Sequence, residues 1–186
     1  MNLKDVRNLG HLSIIFESKF SEKDCLTVDD KTLNFQEFSD LIISYAKKFR
    51  KLGLQKGDKV GILLFNSIEY ITLMYGAMYA GIVPVNINAR YKAKELHYVM
   101  HDSGCKVLFT SSDSDEVTNF SNLISSVYDS PEGKPQNLSD VYIIGGSKDQ
   151  RFKDFKDFEE IEVNNEIHED PIGEDDDPAF IMYTSG

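Results

Sequence analysis

The residues best suited to chemistry stand at the end of the sequence, where an apolar run, Ala179-Phe180-Ile181-Met182, passes into Tyr183-Thr184-Ser185-Gly186. A strand that opens into two hydroxyls and a glycine is how a phosphate loop begins. Glycine lets backbone N–H groups approach an anion, and the hydroxyls donate to its oxygens. Taken alone, the same four residues also fit a strand running into an ordinary turn. Three other strand ends are chemically thinner. Phe65-Asn66-Ser67 is polar, but its side chains are needed to cap the helix that follows. Gly145-Gly146-Ser147 follows a strand without the rest of a G-x-G-x-x-G and reads as a turn. Asn86, Asn88 and Arg90 could present amides and a guanidinium to an anion, but read first as a turn held by Asn side chains.

The remaining chemistry is mostly excluded. His97 and His101 are four apart, yet no third ligand or glutamate base completes an H-E-x-x-H, and His11 and His168 have no partner of ligand type at helical spacing. No metal site is expected. There is no G-x-S-x-G elbow, no placed Ser/His/Asp set and no Walker A pattern.

Strand ends become ligand sites because an open parallel sheet gathers its carboxyl ends on one side, and the elements around these residues predict such a sheet. Leu9, Leu12, Ile15, Phe16 and Phe20 set an amphipathic helix over 8–20. Residues 25–28 and 31–33 flank Asp29-Asp30 as a small hairpin. Phe35, Phe38, Leu41, Ile42, Tyr45, Ala46, Phe49 and Leu52 then form one apolar stripe, started by an Asn34–Glu37 capping box with Leu33 and Phe38 as staple, and stopped by Gly53. Residues 60–65 are apolar on both faces, as a central parallel strand requires. A second Asn-x-x-Glu box, Asn66 and Glu69, predicts the start of a buried helix reaching Gly81. Strands over 82–87, 106–110, 141–144 and 179–183 alternate with helices over 94–102 and 115–127, and Phe152, Phe155 and Phe158 lie three apart on a short helix or turn. Repeated strand–helix–strand units call for an α/β fold, an open and mostly parallel sheet flanked by helices.

Composition narrows the function classes further. The 186 residues are 41% hydrophobic with twelve Phe and nine Tyr, enough for a core. Twenty Lys and Arg against 31 Asp and Glu give a net charge of −11, the wrong sign for a nucleic-acid partner. Seven of those acids crowd between Glu166 and Asp177 without a Lys or Arg, which reads as a solvated connector rather than a Ca²⁺ loop. Cys25 and Cys105 read as buried free thiols and so point to a reducing compartment. No signal peptide and no transmembrane span is expected: the most apolar uncharged stretch, 70–85, falls short of ~20 residues and contains Gly76, Gly81 and Pro84. A cytoplasmic protein follows.

Ile181-Met182-Tyr183-Thr184-Ser185-Gly186 resembles the opening of the phosphate-loop motif of the adenylate-forming (AMP-binding) superfamily, which reads roughly Y-T-S-G-T-T-G-x-P-K-G. Other segments match in order. Residues 32–38, TLNFQEF, look like the family's LTYxEL helix start, and Gly57 to Ile62 are similar to its GDRVAI. Met78 to Asn86 resembles KAGAVxVPLN, and Glu95-Leu96 with Asp102-Ser103-Gly104-Cys105-Lys106 resembles EL…DSGAK. Asn86-Ile87-Asn88-Ala89-Arg90-Tyr91 looks more like acyl-CoA synthetases of the fatty-acid type than like peptide-synthetase adenylation domains.

The resemblance implies that residues 1–165 form the first, incomplete α/β lobe of an AMP-binding domain. Residues 166–177 would be an acidic connector, and 178–186 a strand and the start of the ATP phosphate loop. Thr184, Ser185 and Gly186 would hold the β- and γ-phosphates, with ATP, Mg²⁺, coenzyme A and a carboxylic acid as the reactants. The acyl pocket, the rest of the loop and the mobile C-terminal domain would lie beyond Gly186. The 186-residue fragment is therefore expected to be inactive alone, with no catalytic residue of its own. Two alternatives stay open: a free-standing non-enzymatic α/β interaction module, and an adenylate-forming enzyme with another acceptor, such as an aryl-CoA ligase, a luciferase-like oxidase or a carrier-protein loader.

Overall fold

Local signals at helix starts carry over into the computed structural model, which describes residues 6–112, 119–164, 172, 174 and 176–184. The chain divides into two units. The first comprises Met1–Asp58, Asn66–Val83 and Glu162–Ala179. It contains α1 (Leu9–Phe20), the antiparallel pair β1 (Asp24–Val28) and β2 (Lys31–Asn34), α2 (Phe35–Lys51) and α3 (Ile68–Tyr79). The capping box of α2 is complete: Glu37 N–H donates to Asn34 Oδ1 at 2.9 Å and Asn34 N–H donates to Glu37 Oε2 at 3.0 Å. Phe38, Ile42, Ala46 and Phe49 are buried on one stripe, each stabilising the unit by roughly 0.8 to 3 kcal/mol according to size.

Helix α3 departs from the expected frame by one residue. Its N-cap is Ser67, whose hydroxyl accepts the Tyr70 N–H at 3.0 Å. Ser67 is extended and one residue nearer the first helical turn, so its short side chain makes the bond that the Asn66–Glu69 box was expected to make. Close helix packing then relies on glycine. A Cβ on Gly10 would stand 2.5 Å from the Tyr79 nitrogen and 2.6 Å from the Tyr75 oxygen, so α1 lies directly on the α3 backbone.

The second unit comprises Lys59–Phe65, Pro84–Ile161 and Phe180–Gly186. Its strands are β3 (Lys59–Leu63), β4 (Val83–Asn86), β5 (Val107–Ser111), β6 (Asp140–Ile144), β7 (Lys153–Asp154) and β8 (Ile181–Met182), and its helices α4 (Ala93–Asp102), α5 (Phe120–Tyr128) and α6 (Phe155–Glu159). They form a six-stranded sheet in the order β7-β6-β5-β3-β4-β8. The β3–β5, β4–β8, β5–β6 and β6–β7 ladders are parallel. Helices cover both faces. Leu63, Val85, Leu108, Val141 and Ile143 pack with Leu96 and Met100 of α4 and Phe120 and Ile124 of α5. On the opposite face Phe109 stacks on Tyr142 and meets Phe155 and Phe158 of α6 edge-on, at ring separations of 4.9 to 6.1 Å. The expected start of α5 at Asp115 lies outside the described residues; the described helix begins at Phe120 under an Asn119 cap. β7, only two residues long, has no sequence signal of its own.

Candidate functional site

Thr184, the first of the candidate phosphate residues, sits where β8 leaves the sheet. β8 is an edge strand that pairs parallel with β4, Val85 opposite Ile181 and Asn86 opposite Met182. Tyr183 follows half-buried, and Thr184 is exposed at the carboxyl end of the strand. Ser185 and Gly186, the other two candidates, lie outside the described residues. Tyr183 is held firmly. Its hydroxyl donates to Asp102 Oδ2 at 2.7 Å, and its carbonyl oxygen accepts the Tyr91 hydroxyl at 3.2 Å. The Tyr98 ring meets it edge-on at 6.2 Å. Burial, reinforced by the bond to Asp102, holds the Tyr183 phenol well above its ordinary range, so it stays a donor at any working pH.

The neighbouring strand ends mostly serve turns. Asn88 Oδ1 accepts the Arg90 N–H at 2.9 Å and the Asn88 carbonyl accepts the Tyr91 N–H at 3.1 Å, the Asn-stabilised turn that the residue types favour. Arg90 is exposed. Gly145 and Gly146 follow β6 with φ of 84° and 77°, a left-handed turn that only glycine enters cheaply. Ser147 Oγ then lies 3.1 Å from Ser121 Oγ. The carboxyl ends of β5 and β6 form an open crevice of about 820 Å³, lined by Ser112, Asn119, Ser121, Asn122, Ser147 and Lys148. Sequence reading missed this crevice because its hydroxyls come from three separate segments. At the end of β3, Phe65 remains 45% exposed with its ring 5.1 Å from Phe120.

The other candidates are chemically quiet. Cys105 is fully buried and its thiol is pushed up to about 12 by burial, so it is inert. Cys25 is half-buried, with its thiol raised by burial and by nearby Asp24 and Glu37. The His97 and His101 rings stack at 6.0 Å, and among the described residues no group of three or more His, Cys, Asp or Glu could hold a metal ion. Asp177, from the acidic stretch, pairs with Lys56 at 2.9 Å and accepts the Glu174 N–H at 2.7 Å. Among the described residues no helix is long and apolar enough to cross a membrane.

A parallel sheet whose edge strand opens into hydroxyl residues defines a class, and comparison with known proteins gives it a family. The family model described as AMP-binding enzyme matches residues 16–186, so the chain belongs to the AMP-binding enzyme family. Its relatives are CoA ligases. It is 30% identical over 159 residues to the long-chain-fatty-acid–CoA ligase FadD13 of Mycobacterium tuberculosis, covering 84% of this chain and 28% of that protein. It is 35% identical over 94 residues to a 2-succinylbenzoate–CoA ligase of Oceanobacillus iheyensis, covering 46% of this chain and 20% of that protein. The chain thus spans less than a third of these relatives. Among solved structures, the N-terminal domain of FACL13 from Mycobacterium tuberculosis superposes with a TM-score of 0.78 at 25% identity, covering 97% of this chain and 42% of that one. The anthranilate CoA ligase AuaEII, crystallised with anthranoyl-AMP, shares the fold with a TM-score of 0.82 at 23% identity, over 100% of this chain and 34% of that one.

Proposed function

We propose that this chain is the N-terminal part of an ATP-dependent acyl-CoA synthetase, in which Thr184, Ser185 and Gly186 begin the loop that holds the β- and γ-phosphates of ATP. The observation that carries the reading is the family match over residues 16–186, within which Thr184 stands exposed at the carboxyl end of a parallel strand. In this reading residues 1–165 are the first lobe, 166–177 an acidic connector and 178–186 the entry to the loop. The protein works in the cytoplasm; two free cysteines suit a reducing compartment.

The reaction joins a carboxylic acid to coenzyme A in two steps. The carboxylate attacks the α-phosphorus of ATP, forming acyl-AMP and breaking the bond to pyrophosphate. The CoA thiol then attacks the acyl carbon, loses its proton and releases AMP. Backbone N–H groups and the Thr184 and Ser185 hydroxyls would donate to phosphate oxygens, and Mg²⁺ entering with ATP would offset charge on the departing pyrophosphate. A fatty acid is the substrate class favoured by the Asn86–Tyr91 segment and by the likeness to FadD13 over most of this chain.

The first measurement is the gene sequence beyond the codon for Gly186, followed by pyrophosphate release from the complete protein with fatty, benzoic and succinylbenzoic acids. Continuation as Thr-Thr-Gly-x-Pro-Lys with ATP-dependent release on fatty acids is the expected result. A stop codon, or release from no acid, overturns it. The 186-residue chain alone should bind ATP weakly; a dissociation constant below about 10 μM, roughly −7 kcal/mol, would contradict the assignment of most phosphate donors to later residues.

A further inference from the structure

The edge strand that delivers Thr184 is held by very little sheet. β8 is two residues long and its ladder to β4 has two register pairs, Val85 with Ile181 and Asn86 with Met182. A ladder that short fixes the strand's place but leaves its exit free to pivot, because the next peptide has no ladder bond. Yet the next residue, Tyr183, makes contacts to two other residues, at both its side chain and its main chain.

We propose that Asp102 and Tyr91 are positioning residues for the phosphate loop, gripping Tyr183 by its hydroxyl and its carbonyl so that the peptide leading into Thr184 keeps one orientation. The proposal rests on the reading of Thr184 as a phosphate-loop residue.

Three observations support it. The first is the site of the Tyr91 bond. It falls on the Tyr183 carbonyl, which belongs to the same planar peptide as the Thr184 N–H. In a trans peptide the two groups point in opposite directions, so fixing the carbonyl aims the N–H, one of the donors a phosphate would meet. The second is the place of Asp102. It is the last residue of α4, where the helix dipole opposes a negative charge. A carboxylate there is costly as a helix residue and is compensated by the Tyr183 hydroxyl at 2.7 Å. The third is the Tyr98 ring, one turn before Asp102, which closes on the Tyr183 ring edge-on at 6.2 Å and limits its rotation. All three contacts come from the segment between β4 and β5, so α4 and the turn before it act as a bracket for β8.

The test uses the complete protein with Tyr183→Phe, Asp102→Asn, Asp102→Glu and Tyr91→Phe, each an isosteric or near-isosteric change. Initial rates of pyrophosphate release give KM for ATP and for the acid separately, and thermal unfolding midpoints are recorded beside them. Tyr183→Phe and Asp102→Asn are each expected to raise KM for ATP about five- to tenfold, the scale of one charge-assisted hydrogen bond in a partly exposed site, with KM for the acid within twofold. Tyr91→Phe should act in the same direction by about threefold, and Asp102→Glu should recover part of the loss. The double variant Tyr183→Phe/Asp102→Asn should be no worse than the poorer single one, because one change removes and the other weakens the same bond. An unchanged KM for ATP, a parallel rise in both KM values, or multiplicative effects in the double variant would overturn the bracket. An active wild type with indifferent variants counts against the bracket alone, whereas a wild type that releases no pyrophosphate from any acid counts against the synthetase reading and takes the bracket with it.

Discussion

Two strand exits in the second unit look alike in sequence and are put to different uses. β6 runs into Gly145-Gly146-Ser147 and β8 runs into Tyr183-Thr184, in both cases an apolar strand followed by small or hydroxyl residues. After β6 the polar groups are consumed internally. Ser147 pairs with Ser121, and Ser125 donates to Asp149 Oδ2 at 2.8 Å. Asp149 also holds the Arg151 guanidinium through both its Nε and an Nη, and Arg151 reaches on to Asp129 at 2.6 Å. After β8 the packing stops one residue earlier: Tyr183 is gripped and Thr184 is left exposed. The lesson is that a hydroxyl at a strand end offers itself to a ligand only when its neighbours, rather than the hydroxyl itself, carry the structural bonds.

Substitutions at the two exits should therefore separate stability from ligand binding. The largest stability loss is expected for Gly146→Val. A β-branched side chain at φ 77° is strained, and its Cβ would stand 3.2 Å from Asp154 Oδ2, so chemical denaturation should show a loss of about 2 kcal/mol. Asp149→Ala comes next, because it strips the acceptor from Ser125 and Arg151; urea unfolding at neutral pH should lose about 1 kcal/mol, the value held down by solvent screening.

The same carboxylate sets an acid dependence. Arg151 first, then the backbone and Ser125, hold Asp149 well below the usual carboxylate range. Its contribution is thus fully present above the unfolded value near pH 4 and is lost as pH falls from there toward the depressed folded value. The wild type should lose more stability than Asp149→Asn between pH 5 and about pH 2; equal losses would show that the Arg151 bond adds nothing. Ser147→Ala should cost only about 0.5 to 1 kcal/mol, one neutral hydrogen bond, measured by the thermal midpoint. The smallest stability effect belongs to Thr184→Ala, expected within about 0.5 kcal/mol of wild type, while KM for ATP in the complete protein rises about tenfold, one lost anion donor. A Thr184 variant that unfolds early but binds ATP normally would reverse the comparison.

How much of this was legible in the sequence follows the reach of each interaction. The Asn34–Glu37 box, the Asp29-Asp30 hairpin turn and the Gly53 stop are set by residues within four positions of one another. The α3 cap was misplaced by one residue because Asn66 and Ser67 are both competent caps, and only the backbone path selects Ser67. The Phe152, Phe155 and Phe158 spacing was visible, but that Phe155 and Phe158 seat on Phe109 and Tyr142 was not. Of the candidate site, Thr184 is named by residue type and order, whereas the bonds that Asp102 and Tyr91 make to Tyr183 beside it have no signal in the sequence.

The sequence by itself determined the α/β class, the run of helices and strands, and the membership in a family whose motifs it carries in order. These depend on periodicity, caps and short motifs, all short-range along the chain. Tertiary structure alone decided that Tyr183 carries the structural bonds while Thr184 stands exposed, because those bonds join Tyr183 to Asp102 across 81 positions and to Tyr91 across 92. Nothing in either residue's neighbours announces such a pairing. It exists because a parallel sheet brings strand ends together that the chain order keeps apart.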